Sequence, residues 1–168
     1  MPLARAFCIA RSAGETSVAL EVALAEAVES GRRAWPGIRV EQSTFVRHLA
    51  DVVPREAEPA PWIMTLHAAD LFLACGCAEG DAHAIAAFEQ HHLSAVAAVL
   101  ARAGTAGDLA NEVQQTVRVR LLVATGAERP KIHEYGGRGS LAKWLRVVIL
   151  RTATSLGRSD RARAKRHA

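Results

Sequence analysis

Residues 136 to 166 read "GGRGSLAKWLRVVILRTATSLGRSDRARAKR". Leu141, Leu145, Val148, Ile149 and Thr152 recur at the three- and four-residue spacing that lines one side of an α-helix. Ser140 stands where its hydroxyl can cap the first turn, and Gly157 where a helix commonly stops. The spacing therefore predicts a helix over 141–158, with a fraying basic tail over 159–168. Its other side carries Lys143, Arg146 and Arg151, and a glycine-rich turn with the single tyrosine, Tyr135, precedes it.

Outward from this helix the chain keeps the same period, and no stretch shows persuasive two-residue alternation. Helices are predicted over 16–31, ending at Gly31; over 41–53, ended by Pro54; over 62–77; over 82–103, capped by Asp81; and over 108–124, opened by Asp108. The punctuation "AWPGIRV" at 34–40 is a turn, as are the glycines at 104–107. The Pro/Glu/Ala stretch at 54–61 reads as a linker and divides a helical extension, 1–60, from a helical domain, 61–158. The connection at 125–140 is longer than usual, and its Gly and Pro content marks it as functional or mobile. The fold class is all-α, a compact bundle of about five to six helices with an N-terminal helical extension.

Composition agrees. Half of the 168 residues are hydrophobic but only 5% are aromatic, a mix that favours packed helices over a sheet sandwich. No run of about 18 apolar residues offers a membrane span, and the first residues, "MPLARAFCIARSAGE", lack the apolar core of a secretory leader. A cytoplasmic location is expected. Three cysteines, Cys8, Cys75 and Cys77, are a poor basis for a disulfide framework.

Charge is polarised along the chain. Residues 138 to 168 hold nine Lys or Arg against one acid, Asp160, a net of +8, whereas the remainder carries twelve basic and sixteen acidic side chains, a net of −4. Such a block is the footprint of a polyanion partner, most often nucleic acid; a solvated helix face with a loose tail is the plainer alternative.

Catalytic chemistry finds little support. His91 and His92 are adjacent, so they point about 100° apart on a helix. Cys75, Cys77 and His83 lack the paired spacing of a zinc site. No phosphate-binding loop, nucleophile elbow or H-E-x-x-H is present. Neither an enzyme nor a cofactor or metal site is expected.

The order of the last 90 residues is more specific. Gly80 and Asp81 open one helix; Asp108, Asn111, Val113 and Gln114 begin the next; then come Tyr135, Gly139, Ser140, Leu141, Trp144, Leu145 and Arg151. This order, and above all the G-S-L-x-x-W-L core, resembles region two of the extracytoplasmic-function sigma factors of the sigma-70 family, over about residues 70 to 160. The first 60 residues resemble the helical extension of some myxobacterial members. Glu112 stands where the family usually has an apolar residue, Thr116 replaces a larger aliphatic, and Arg151 replaces a common asparagine. Full-length members continue into a helix-turn-helix domain that does not follow here, which suggests an excised domain or a truncated relative.

The resemblance implies a transcription initiation domain that binds the clamp helices of core RNA polymerase and recognises or melts the −10 promoter element. The polar cluster Asp108, Asn111, Glu112, Gln114 and Gln115 would meet the polymerase, although acids in a first helical turn also suit the helix dipole. Tyr135, Arg138, Ser140, Lys143, Trp144, Arg146 and Arg151 would meet the −10 non-template strand. Tyr135 would stack on an unpaired base, the basic side chains would hold phosphates, and Trp144 lies on or beside the apolar stripe. An anti-sigma factor is the further partner such a domain takes. The alternatives are a helical module that occupies the clamp without opening DNA, and a small metal-dependent enzyme built on Cys75, Cys77, His83, His91 and His92.

Overall fold

The computed structural model describes residues 1–105 and 107–167; Ala106, in the expected turn at 104–107, and Ala168, at the end of the expected tail, lie outside the described residues. The fold is all-α. Nine α-helices occur among the described residues: α1 (Leu3–Arg11), α2 (Val18–Ala34), α3 (Gln42–Val52), α4 (Pro59–Met64), α5 (Ala68–Ala78), α6 (Ala82–His91), α7 (Val96–Arg102), α8 (Ala110–Leu122) and α9 (Leu141–His167). Short 3₁₀ turns at Leu93–Ala95, Gly107–Leu109 and Lys131–Glu134 complete it.

The centre is α5. Every residue from Leu71 to Cys77 is buried, the pattern of a helix surrounded on all sides. α2 crosses it closely: a Cβ on Gly31 would stand 2.3 Å from the Phe72 ring. Gly31 is thus a contact point inside α2 rather than its end. Phe72 also meets Phe45 of α3 edge-on, at 5.1 Å between centroids. α8 and α9 pack on each other and on α7 at the other end.

The first 60 residues share this core, and one buried apolar cluster runs from Leu3 to Ala153 without a break at 54–61. α1 belongs to it through Leu3, Ala4 and Phe7. The Glu21 carboxylate accepts the backbone N–H groups of Leu3 and Ala4 at 2.9 and 2.7 Å, capping α1 from α2. The buried Arg11 guanidinium donates to the carbonyls of Ala50, Val53 and Pro54. It thereby satisfies acceptors at the end of α3 that the helix itself leaves free.

Two expected helices are each broken in two. A straight helix over 82–103 would set Leu93, Val96 and Leu100 more than about 80° around the axis from Ala84 and Phe88. The 3₁₀ turn at Leu93–Ala95 redirects the chain, and all five side chains are buried. The expected helix over 62–77 is interrupted between α4 and α5, where the His67 N–H donates to the Gly137 carbonyl at 2.9 Å. In contrast, α9 runs through Gly157 to His167. The segment expected to fray is helical because its alanine, arginine and lysine residues are strong helix formers.

An 18-residue window within Ala82–Arg102 reaches a mean hydropathy of 1.2, a length sufficient to cross a membrane. The 3₁₀ turn interrupts that stretch, and it contains Glu89 and three histidines.

Candidate nucleic-acid interface

α9 begins with a cap assembled from two sources. The Ser140 hydroxyl accepts the Lys143 N–H at 3.3 Å, and Asp70 of α5 accepts the Leu141 N–H at 2.8 Å. Leu141, Leu145, Ile149, Thr152 and Ala153 are buried, which fixes the helix against α8 and turns Lys143, Arg146 and Arg151 to solvent. The apolar stripe and the charged side read from the sequence are both present.

The connection before α9 differs from expectation. Pro130, Ile132, Tyr135 and Gly137 are buried, so its second half is packed against the body. Tyr135, expected to stack on a base, is only 2% exposed. Its hydroxyl donates to the Gly139 carbonyl, its ring centroid lies 5.7 Å from that of Trp144, and burial, reinforced by the neighbouring Asp70 carboxylate, pushes the phenol pKa up. The ring would have to leave the core to meet a base. Gly137 explains part of the glycine-rich turn: at φ 73° it adopts a conformation that side chains disfavour, and a Cβ there would stand 2.5 Å from Leu71.

Trp144 is half-buried, and its outer side borders a cavity of about 280 Å³ also lined by Arg120, Lys131, Glu134, Val148 and Arg151. Lys131 is paired with Glu134 at 3.1 Å. Arg120 and Arg151 have no acidic partner within salt-bridge distance among the described residues. Arg138 is held apart, its guanidinium 4.3 Å above the Trp62 ring of α4, a cation–π contact. The sequence offered no sign of that pairing, because 76 positions separate the two residues.

The opening of α8 is exposed as expected. Asp108, Asn111, Glu112 and Gln115 face solvent, Gln114 is half-buried, and Val113, Val117 and Leu121 are buried behind them. Asp108 lies in the 3₁₀ turn, and α8 starts at Ala110 without any side-chain cap. Among the described residues no side-chain hydrogen bond from Asp108 caps α8. Val119, farther along the exposed side, is 53% exposed and lines an open groove with Gln115, Thr152 and Leu156 between α8 and α9.

Cys75 and Cys77 lie inside α5, where burial pushes both thiols up to about 12, so they stay protonated. No group of three or more His, Cys, Asp or Glu side chains is arranged to hold a metal among the described residues. One histidine pair went unnoticed in the sequence. His48 of α3 is 4% exposed, neither ring nitrogen has a partner among the described residues, and its ring meets that of His133 at 4.7 Å.

No family model, curated protein or solved structure matches the chain significantly.

Proposed function

We propose that this chain is a transcription initiation domain of the sigma region-two kind, which binds core RNA polymerase through the opening of α8 and −10 promoter DNA through α9. One observation carries the reading: two packed helices present chemically opposite exposed sides, an uncapped polar and acidic opening on α8 and a row of cations on α9. An acidic helix opening followed by Val119 suits a basic helical partner with an apolar contact, as the clamp helices offer. Lys143, Arg146 and Arg151 suit phosphates, which position a strand without specifying its sequence. Trp144, not Tyr135, is the aromatic available to an unstacked base, with Arg120 and Arg151 beside it. Such a domain has no enzymatic activity of its own and works in the cytoplasm with the polymerase; an anti-sigma factor would compete for these faces.

The burial of Tyr135 favours a second reading, a module that occupies the clamp without opening DNA. Affinity for a labelled −10 non-template strand and its scrambled counterpart, measured with and without core polymerase, separates the two. The initiation reading predicts a preference for the −10 strand that Trp144→Ala removes. Binding to polymerase with equal affinity for both strands supports the clamp module, and no binding to polymerase refutes both.

A further inference from the structure

Beyond Ala153 no residue of α9 is buried, and beyond Gly157 every described residue is exposed; Arg158 and Arg161 still border the turn after α7, and the helix beyond them packs no buried residue against the body. An isolated helix shorter than about 12 residues is marginal in water. Here Arg158, Arg161 and Lys165 also stand three and four positions apart, where like charges repel. The segment is thus helical and self-repelling, and gains most from a partner that neutralises it.

At about 100° per residue, Lys143, Arg151, Arg158, Arg161 and Lys165 fall within about 80° of one another around the axis, on the side opposite the buried stripe. From Lys143 to Lys165 this row is about 33 Å long at a rise of about 1.5 Å per residue, close to one turn of duplex DNA, about 34 Å. Asp160, Arg163 and Arg166 lie outside it. None of its five members is in an ion pair among the described residues. Arg158 and Arg161 also border an open groove of about 650 Å³ between α9 and the turn after α7.

The composition of the projecting part selects among polyanions. Residues 158 to 167 hold no aromatic side chain other than His167 and no aliphatic one larger than alanine. Single-strand binding relies on stacking platforms, and an interfacial membrane helix needs an apolar face; this segment has neither. We infer that the outer row of α9 is a sequence-independent docking surface for the phosphate backbone of duplex DNA. This goes beyond the polymerase and −10 reading and does not require it, because the free domain would bind duplex alone.

The test uses the full chain and a DNA duplex of about two turns and arbitrary sequence, titrated across salt. Replacing three row members, Arg158→Gln/Arg161→Gln/Lys165→Gln, should weaken binding on the order of tenfold or more at about 0.1 M salt and lower the slope of log K against log salt by about 2.7, at about 0.9 per lost contact. The off-row pair Arg163→Gln/Arg166→Gln should lose distinctly less per residue. Equal loss per residue for both sets would overturn the row. Tighter binding to duplex RNA, or binding to phosphatidylglycerol vesicles but not duplex, would overturn the assignment to DNA. All these variants should keep any affinity for core polymerase, so the two proposals fail separately.

Discussion

Acid should loosen this protein through His48. Burial, with His133 and Arg129 adding to it, lowers the His48 pKa to about 4 from the ordinary 6.5. The folded chain therefore refuses a proton that the unfolded chain accepts, and stability is fully present above about pH 6.5, falls as pH drops through the window, and levels off below about pH 4. At about pH 5 the loss from this one group is about 2 kcal/mol, taken from the two pKa values. His92 and His133, both also lowered by burial, add losses of the same sign. Asp51 and Glu79 face His133 and pull its pKa the other way, but burial outweighs them. Urea unfolding of the unmodified chain and of His48→Leu, at about pH 7.5 and about pH 5, isolates the contribution. The variant should match or exceed the parent at the higher pH, since leucine removes two ring nitrogens that lack partners, and it should lose about 2 kcal/mol less on acidification. An unchanged difference between the two pH values would refute the argument that the buried imidazole governs acid stability.

Gly137→Ala should destabilise by about 2 to 4 kcal/mol, combining a disfavoured φ with a clash against Leu71; chemical denaturation measures it, and a change under about 1 kcal/mol would contradict the packed turn. Tyr135→Ala should cost about 3 to 5 kcal/mol of stability, as a large core truncation, and reduce −10 and scrambled strand binding alike. A loss confined to the −10 strand with stability intact would restore Tyr135 to a base-contacting role. Asp70→Asn should cost about 1 kcal/mol, since the amide oxygen keeps the Leu141 hydrogen bond but loses the charge at the α9 terminus, whereas Asp70→Ala should cost more in the same assay.

The periodic positions were the legible part of this sequence. The stripe Leu141, Leu145, Val148, Ile149 and Thr152, the Asp81 cap of α6 and the apolar face Leu109, Val113, Val117 and Leu121 follow from local spacing; the structure buries all but Val148 and Leu109, which are half-buried, and keeps the cap. Local spacing could not reveal what depends on distant residues. Gly31 looked like a helix stop because its neighbour Phe72 is 41 positions away, and the break in 82–103 serves a core that other helices complete. α1 is also legible in local spacing, since Leu3, Ala4, Phe7 and Arg11 share one helical face. At the candidate site, exposure of the α8 opening and of Lys143, Arg146 and Arg151 was foreseen. The burial of Tyr135 was not legible, because a lone tyrosine in a Gly/Pro-rich connection is as consistent with an exposed ring as with a core anchor, and only its tertiary contacts decide. Arg138 on Trp62 is likewise a product of distant packing, whereas the helical course of 159–167 follows from local propensity that the glycine at 157 concealed.

The central claim is that the opening of α8 binds core RNA polymerase, and the affinity of core polymerase for the unmodified chain and for Asp108→Ala/Glu112→Ala/Gln115→Ala tests it most directly. All three positions are exposed, and none caps α8 among the described residues, so thermal stability should shift by less than about 1 kcal/mol. Polymerase affinity should fall tenfold or more, about 1.4 kcal/mol or beyond. Unchanged affinity with unchanged stability, or no measurable affinity for the unmodified chain, would contradict it.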